Sequence, residues 1–326
     1  MMFTTAPWIR GTLTRILLAV TTLAVVSVVV FLALHLLKGG YANIFLGPTA
    51  TQAQVDALNH QYGLDAPVLT QLSRWLSNLV HGDFGTSLVS GQPVSSMLAL
   101  RLPVTAELAV YASLLAAIVG VPIGVLIGTI GRKSRSAAGL RAASALSVSV
   151  PDFVVGSVLV YLLTRFAPTY LSVGSYTALT ADPGVNLRQM FFPAMTLALF
   201  PAAVLARTLR DSVHSVLAEP FIRAAALRGE DRRQIIRRHV LRNSSLPALT
   251  VSAVSFGYLF GGAVIVENVF ALPGMGQELI DSINARDYPV VQACIVVGAG
   301  AFIAINLISE SVYGLIDPRL RVPGVN

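Results

Sequence analysis

Six long apolar runs limit what this chain can fold into. They occupy residues 16–37, 105–130, 142–166, 191–209, 246–266 and 290–316. A helix needs about 20 consecutive apolar residues to cross the hydrocarbon core of a bilayer. Lipid also requires the backbone polar groups of a spanning segment to be satisfied internally. The sequence therefore predicts an all-α polytopic membrane protein with six transmembrane helices.

Composition excludes the soluble alternatives. The 326 residues are 54% hydrophobic and 12% charged, whereas soluble domains carry about a quarter charged residues. The net charge of +7 is consequently not the footprint of a nucleic-acid-binding surface. The first run exceeds the roughly 7–15 residues of a signal-peptide core and lacks a clear cleavage site, so we expect a retained membrane anchor.

The basic residues fix the expected orientation. With both termini inside, 17 of the 23 Lys and Arg residues lie in the inside segments, as the positive-inside rule requires. The predicted organisation is a cytosolic N-terminus (1–15), a first transmembrane helix (16–37), an external segment (38–102), a five-helix core (103–316) that includes a cytosolic loop (211–246), and a cytosolic tail (317–326).

Residues 38–102 form more than a linker. Thr51 and Gln54 have the spacing of a capping box, and Gly63 stands where a helix C-terminal glycine is expected. A second helix is predicted to begin at Asp65-Ala66-Pro67, and its apolar residues recur at helical spacing. We expect this external helical pair to pack on the membrane face of the protein.

The second run carries small residues at every fourth position: Ala112, Ala116, Gly120, Gly124 and Gly128. In lipid this spacing lets another helix approach backbone to backbone. It predicts tight packing inside the bundle or against another subunit.

Enzyme motifs are lacking. The sequence has no phosphate-binding loop, no nucleophile elbow and no zinc-binding His-Glu-x-x-His, so we predict no catalytic residues, no metal site and no cofactor in this chain. The carboxylates of the membrane segments, Glu107, Asp152 and Glu267, stand far apart in sequence. An ion-coupled secondary transporter or a channel needs ionisable groups near the midplane and stays the alternative of another class.

The connection between the fourth and fifth runs is the most informative segment. Glu219-Pro220 suits a helix start, and a short helix is predicted to end at Gly229. Glu230-Asp231 should begin a second helix that closes at Asn243 and Pro247. A basic loop of this kind commonly lies among lipid headgroups. Three consecutive alanines (Ala224, Ala225 and Ala226) favour instead a smooth face that fits a protein cleft.

The segment from Arg223 to Gly229 resembles the EAA loop of ABC importer permeases. With His239, Asn243 and Pro247 it is similar to the dipeptide/oligopeptide/nickel branch. Further stretches agree: Tyr62-Gly63-Leu64-Asp65-x-Pro67, Gly82-Asp83-Phe84-Gly85-Thr86-Ser87, Glu267-Asn268-Val269-Phe270-x-x-Pro273-Gly274-Met275-Gly276, Asp287-Tyr288-Pro289 and Asp317-Pro318-Arg319. Three features depart from the family pattern. Arg223 replaces the Glu that names the loop, the closing Pro247 lies several residues further from Gly229 than in the sugar-type loop, and Lys38-Gly39-Gly40-Tyr41 replaces a Pro-Gly-Asp-Pro.

The resemblance implies a type I ABC importer permease in the bacterial inner membrane, most simply for di- or oligopeptides, with nickel or another small solute as the alternative. It implies four kinds of neighbour: a homologous second permease, two ATPase subunits that bind ATP and Mg, an external solute-binding protein and membrane lipid. The residues it assigns to ATPase coupling are Arg223, Ala224, Ala225, Ala226, Arg228, Gly229, Arg232, Arg233, Ile235, Arg238, His239, Asn243 and Pro247.

Glu267 has two open interpretations. It is either part of an external gate or receptor contact, or a carboxylate at the level of the lipid headgroups. The residues grouped with the first interpretation are Glu267, Phe270, Pro273, Gly274 and Gly276.

Overall fold

The computed structural model of the protein describes residues 7–36, 42, 46–47, 49–61, 63–130, 139, 149–168 and 173–316. The regular elements within these ranges are helices, with one isolated antiparallel bridge between Thr86 and Pro93. The predicted all-α class is confirmed.

In chain order the helices are α1 (Pro7–His35), α2 (Gln52–Gln61), α3 (Val68–Val80), α4 (Val94–Thr129), α5 (Asp152–Phe166), α6 (Pro183–Ala218), α7 (Pro220–Leu227), α8 (Arg232–Gln234), a π-helix (Ile235–Val240), α9 (Leu241–Phe270), α10 (Met275–Ala285) and α11 (Tyr288–Ile316).

Within the described ranges, five helices are long and apolar enough to cross a membrane. The qualifying segments are Leu13–His35, Val94–Thr129, Pro183–Ala218, Pro247–Phe270 and Tyr288–Ile308. The third predicted run is represented by α5, which has 15 residues, and its first part at 142–148 lies outside the described residues. A sixth transmembrane helix therefore stays a prediction. Segments 38–41 and 131–138 and the tail 317–326 also lie outside.

The chain divides into two compact units. The first contains residues 1–104 and 274–304, and the second contains residues 105–273 and 305–326. The core of the first unit joins the start of α4 to α10 and α11, and its buried residues are Val94, Leu98, Met275, Val290, Ala293 and Cys294.

Helix α2 of the first unit has the predicted ends. The Thr51 backbone N–H donates to Gln54 Oε1 at 2.9 Å, which caps α2. Gly63 adopts a left-handed φ of 64°, and the Leu64 N–H donates to the Asn59 carbonyl at 2.8 Å. These bonds satisfy backbone groups that the helix ends leave open.

Helix α3 contacts the end of α1. The rings of Trp75 and Phe31 lie 6.0 Å apart, and His35 Nε2 lies 3.1 Å from Gln71 Oε1. Phe31 and His35 lie in the last turns of the apolar segment Leu13–His35, so α3 contacts the end of that segment. The amphipathic helix predicted after Pro67 thus packs on an apolar span.

Two motifs that are 200 residues apart meet in the first unit. The hydroxyl of Ser87 donates to the Asp287 carboxylate, which also accepts the Leu88 N–H at 3.1 Å. Nearby in the same unit, Arg101 forms an ion pair with Glu278 at 2.9 Å. Ser87, Asp287 and Glu278 are all buried. Partnering of this kind is what makes a buried carboxylate tolerable.

Helix α6 organises the second unit. Asp182 caps its N-terminus by accepting the N–H groups of Gly184 and Val185 at 2.9 and 3.0 Å. Downstream, the helix buries a row of alanines and leucines and contacts both α5 and α9.

The small residues of α4 lie against α6. Ala112 and Ala116 are buried. A Cβ added at Gly120 or at Gly124 would lie 2.7 Å from the carbonyl oxygen of Ala202 or of Ala206, and one added at Gly128 would lie 2.7 Å from Val213. These distances are shorter than van der Waals contact, so the two backbones approach only because side chains are missing. The stripe therefore serves packing within the unit.

Candidate functional site

The basic connection folds as two short helical elements on a shared core. Helix α7 begins at Pro220, where Glu219 is extended and ends α6. Ile222 and Ala225 of α7 pack with Val213 of α6 and with two residues of the π-helix, Ile235 and Val240. The loop is thus a folded element and not a flexible tether.

One face of α7 stays uncovered. Phe221 and Leu227 expose 44% and 90% of their surface, and Ala224 between them is also exposed. Their spacing of three residues puts them on one side of the helix. We call Phe221, Ala224 and Leu227 the coupling ridge. An apolar ridge at the tip of a charged loop has the character of a protein-docking surface.

Ala225 does not belong to that ridge. It has an exposed fraction of 0% and lies in the core of the loop. The three alanines therefore do not form one continuous face, because consecutive helical residues point about 100° apart. In place of the smooth alanine face expected from the sequence, the exposed apolar surface consists of Ala224 with Phe221 and Leu227.

The turn after α7 requires a glycine. Gly229 has a φ of 87°, and a Cβ there would meet nothing within 4 Å. The Gly229 N–H donates to the Ala226 carbonyl at 3.0 Å and the Glu230 N–H to the Ala225 carbonyl at 3.2 Å. This is a Schellman motif, in which glycine supplies the left-handed residue. Conformation, and not space, decides the residue type.

The second half of the loop begins with a capping box. Asp231 Oδ1 accepts the Gln234 N–H at 2.7 Å, and Gln234 Oε1 accepts the Asp231 N–H at 3.4 Å. The chain then enters the π-helix and continues into α9 without a break. The prediction that Asn243 and Pro247 close the second helix is wrong.

Pro247 lies inside α9. A proline removes one helical hydrogen bond, but long membrane helices tolerate this because neighbouring groups satisfy the freed backbone. Asn243 donates to the His239 carbonyl at 2.6 Å instead of capping an end.

Glu230 joins the two halves of the loop. Its carboxylate accepts hydrogen bonds from His239 Nε2 at 2.8 Å and from Arg228 at 3.2 Å. Hydrogen bonding to His239, followed by that to Arg228, lowers the pKa of Glu230. The ring of His239 also lies 6.2 Å from that of Phe221, edge to face. The sequence analysis placed Glu230 at the start of the second helix and did not anticipate its bonds to His239 and Arg228.

A further bond ties the loop to a span. Arg232 donates to the carbonyl of Thr129 at 2.7 Å, and Thr129 is the last residue of α4. A guanidinium on the last turn of a helix satisfies an open carbonyl and complements the helix dipole.

The loop residues that the sequence analysis singled out divide by exposure. Ala225 and Ile235 are buried and His239 is half-buried. The exposed members are Arg223, Ala224, Ala226, Arg228, Gly229, Arg232, Arg233, Arg238, Asn243 and Pro247.

Glu267 lies in the interior of the second unit. Its exposed fraction is 0%, and Thr105 donates a hydrogen bond to its Oε1 at 2.6 Å. The interpretation as a headgroup-level carboxylate does not fit this burial. Phe270 is also buried, and Pro273 is half-buried in the same unit. Gly274 and Gly276, both buried, belong to the first unit, where Gly274 precedes α10.

A second polar cluster in this unit was not anticipated. Tyr176 donates to Glu107 Oε2 at 2.8 Å, and Tyr111 donates to Asn186 Oδ1 at 2.9 Å. Burial, together with the contact to Glu107, raises the pKa of the Tyr176 phenol to about 12. Its members come from three separate segments of the chain, which no local spacing could have joined.

Two protein-family models match this chain. Residues 120–322 match the family described as binding-protein-dependent transport system inner membrane component, and residues 8–109 match the corresponding N-terminal region. The chain belongs to this family. It is a multi-pass inner-membrane permease subunit of an ABC importer, a class of transport subunit without an ATPase site of its own.

Relatives of this permease match almost end to end. It is 36% identical to a probable peptide ABC transporter permease protein of Sinorhizobium fredii over 311 residues, which are 95% of this chain and 98% of the relative. It is also 36% identical over 312 residues to a putative peptide transport system permease protein of Brucella abortus. Identity to the glutathione transport system permease protein GsiC of Salmonella paratyphi A is 34% over 309 residues.

A solved structure shares the permease fold. A chain of the inward-facing MetNI methionine ABC transporter superposes with a TM-score of 0.54 at 15% identity, covering 68% of this permease and 96% of that chain. This similarity establishes the fold of an ABC importer permease. Family membership also removes the ion-coupled secondary transporter from consideration.

Proposed function

We propose that this permease forms half of the pathway of an ATP-driven importer for di- or oligopeptides. A homologous second permease completes the pathway, two ATPase subunits hydrolyse ATP with Mg, and an external binding protein delivers the solute. The peptide substrate is supported by the relatives named as peptide and glutathione permeases.

The observation that carries the coupling role is the coupling ridge. Its three apolar side chains are exposed next to one another on one side of α7, and contiguous exposed apolar surface is typical of a site that another protein covers. Both ends of α7 are fixed, by Pro220 at the start and by the Gly229 turn at the end. A short helix held at both ends and packed on the π-helix passes a displacement to α9 as one body.

The coupling role can be tested by removing the ridge. We expect Leu227→Ser to leave the permease inserted but to weaken ATPase binding about tenfold, since a buried apolar anchor contributes more than 1 kcal/mol to a typical interface. ATPase association and solute-stimulated hydrolysis in proteoliposomes measure this. Val80→Ser removes a similarly exposed apolar side chain, at 85%, from the segment predicted to be external and should change neither.

Wild-type coupling in Leu227→Ser would show that the ATPase does not bind the coupling ridge.

The orientation follows from the basic residues and puts both termini in the cytosol. Ser77 of α3 and Ser215 of α6 are both exposed. A membrane-impermeant maleimide added outside should label Ser77→Cys and leave Ser215→Cys unlabelled until the membrane is opened. The native Cys294 is buried and gives little background. The reverse labelling pattern would overturn the topology and the import direction with it.

A further inference from the structure

The three carboxylates of the membrane segments differ in their surroundings. Glu267 is fully buried, and Glu107 accepts a hydrogen bond from the half-buried Tyr176. Asp152 is half-buried, and its Oδ2 accepts a hydrogen bond from the hydroxyl of Tyr258 at 3.3 Å. Tyr258 exposes 44% of its surface. The carboxylate of Asp152 is therefore joined to an exposed partner.

The pair lies in the interior of an apolar segment. Tyr258 is the twelfth of the 24 residues of the segment Pro247–Phe270. A Cβ added at Gly262 would lie 3.9 Å from Asp152 Oδ2, so this oxygen lies between the levels of Tyr258 and Gly262. At about 1.5 Å per residue, Gly262 is about 12 Å from the nearer end of the segment. The carboxylate thus lies well inside the span.

Three helices hold the pair in place. Asp152 is the first residue of α5, where the helix dipole favours an ionised carboxylate. The ring of Tyr258 in α9 packs on that of Phe200 in α6, with 4.7 Å between the ring centroids. Leu197 Cδ1 of α6 would lie 2.9 Å from a Cβ added at Gly262, so α9 comes close to α6 because that side chain is missing. The pair is a fixed feature of the bundle.

The face of α9 that carries Tyr258 is uncovered in this chain. Val254, Gly261 and Ile265 share that face, since they are four, three and seven residues from Tyr258, and all three are exposed. A Cβ added at Gly261 would meet nothing within 4 Å. Another molecule therefore has room beside the phenol and the carboxylate.

The chemistry of the pair does not suit a lipid-facing surface. An ionisable side chain inside a span almost always faces a water-filled cavity or a polar partner, because a charge in hydrocarbon is costly. Within the described parts of the chain, no Lys, Arg or His forms an ion pair with Asp152. Its carboxylate can thus accept a positive group from outside this chain.

We propose that Asp152 and Tyr258 form a site in the translocation pathway that binds the α-ammonium group of the peptide substrate. The proposal rests on the proposed function, in which the solute is a di- or oligopeptide. The α-amino group of a peptide is protonated near pH 7 whatever its side chains are, and an ammonium forms strong hydrogen bonds with a carboxylate. A permanent ion pair with the second permease would close this face, whereas the passage of a solute requires it open.

The roles of the two side chains differ. Asp152 provides the negative charge, and Tyr258 is a positioning residue that holds Oδ2 and leaves Oδ1 for the ammonium group. The site would select a free N-terminus and would be indifferent to the peptide's side chains.

The test uses the permease–ATPase complex in nanodiscs without the binding protein, so that the preference of that protein does not enter. The affinities for trialanine and for N-acetyl-trialanine, which lacks the ammonium group, are titrated by saturation-transfer NMR. We expect the wild type to bind trialanine about tenfold more tightly, since a hydrogen bond to a charged group contributes about that factor. Equal affinity for the two peptides, or no binding of either, would overturn the proposal.

Asp152→Asn should bind both peptides alike, and Asp152→Glu, which keeps the charge, should retain part of the preference. Tyr258→Phe should reduce the preference about threefold, because it removes one hydrogen bond that orients the carboxylate. Tyr161→Phe is the matched control, since it removes an exposed tyrosine hydroxyl of α5 nine residues from Asp152, and it should keep the full preference. An unchanged preference in Asp152→Asn, or equal losses in the two tyrosine variants, would contradict the site.

Uptake of trialanine by the complete importer in proteoliposomes separates this site from the proposed function. We expect Asp152→Asn to take up trialanine about tenfold more slowly than the wild type, by the same reasoning. Equal uptake in the two would leave the proposed function standing and overturn the site. No uptake of trialanine by the wild type would overturn both. If Asp152→Asn instead weakens the association of the two permeases, the occupant is the second permease and the proposal fails.

Discussion

Two regions of the second unit require glycine for different reasons, one for lack of space and the other for backbone conformation. Along α4, Gly120 and Gly124 are required because a side chain would meet the backbone of α6 at 2.7 Å, while their own backbone is ordinary helix. At Gly229 nothing lies within 4 Å, and the requirement is the φ of 87°. The α4–α6 contact thus excludes a side chain for lack of space, whereas the proposed coupling loop (residues 211–246) needs glycine for its backbone conformation at residue 229. A Gly→Ala substitution should therefore act differently in the two regions.

The largest loss of stability is expected at Ala225, which is fully buried in the core of the loop. Ala225→Glu places a charge in the core between α7 and the π-helix, where no partner awaits it. Removing a partner from a buried charge costs about 3–5 kcal/mol, and an introduced one should cost a similar amount. We expect α7 to unfold locally, seen as rapid hydrogen exchange over Pro220–Val240.

Ala224→Glu is the neighbouring control, because Ala224 is exposed. It should keep the protection of the loop and lose ATPase binding. Equal exchange in the two variants would contradict the buried position of Ala225.

A smaller loss is expected at the α4–α6 contact. Gly124→Ala forces a Cβ to 2.7 Å from both the Ala206 carbonyl oxygen and Leu209 Cβ, and overpacking of this kind typically costs about 1–3 kcal/mol. Thermal unfolding of the purified permease should shift to lower temperature. Gly261→Ala, in the membrane segment of α9 with nothing within 4 Å, should leave the transition unchanged or raise it. An equal downward shift in Gly261→Ala would show that the loss in Gly124→Ala does not come from the α4–α6 contact, because Ala favours a helix more than Gly does.

At the Gly229 turn the expected loss of stability is smaller than at the α4–α6 contact. Gly229→Ala should destabilise the loop by about 1 kcal/mol, because an L-residue in the left-handed region is strained. Asn tolerates that region better, so Gly229→Asn should recover part of the loss. Hydrogen exchange at Glu230 and Asp231 reports the opening of the turn. If Gly229→Asn opens the turn as much as Gly229→Ala does, the backbone conformation is not the limiting factor.

The smallest effect is the response of the loop to pH. The pKa of Glu230 is lowered in the folded loop by its bonds to His239 and Arg228, so its ionised form is favoured there. This stabilisation is present above the ordinary pKa of 4.5 and is lost as the pH falls through the lowered value. Exchange protection of the loop should therefore decline below pH 4.5. Glu230→Gln should remove that dependence, and an unchanged acid response in this variant would assign it to another group.

The features that the sequence predicted correctly depend on residues close together in the chain. Apolar runs predicted the long helices, and the residues around Gly229 and Asp231 predicted both caps of the coupling loop, because capping depends on neighbours within a few positions. The proline rule failed at Pro247, since the packing of α9 outweighs one lost hydrogen bond.

Contacts between distant segments could not be read in this way. The bond from Ser87 to Asp287 spans 200 residues, and Tyr176 reaches Glu107 across 69. Nor could periodicity alone decide that Ala225 faces inward while Ala224 faces outward, because that depends on where Val213 and Val240 lie. The position of Glu267 inside the bundle likewise follows from its contact with Thr105 and not from its place near a helix end.

The unbroken passage from the π-helix into α9 makes residues 235–270 one continuous helical segment. At about 1.5 Å per residue it is about 50 Å long, with the coupling loop at one end and the buried Glu267 near the other. A tilt of about 5° about the loop end displaces the far end by about 4 Å, given that length. Such a displacement exceeds the length of the Thr105–Glu267 hydrogen bond, 2.6 Å. An angular change of this size is therefore large enough to separate these two side chains at the far end of α9.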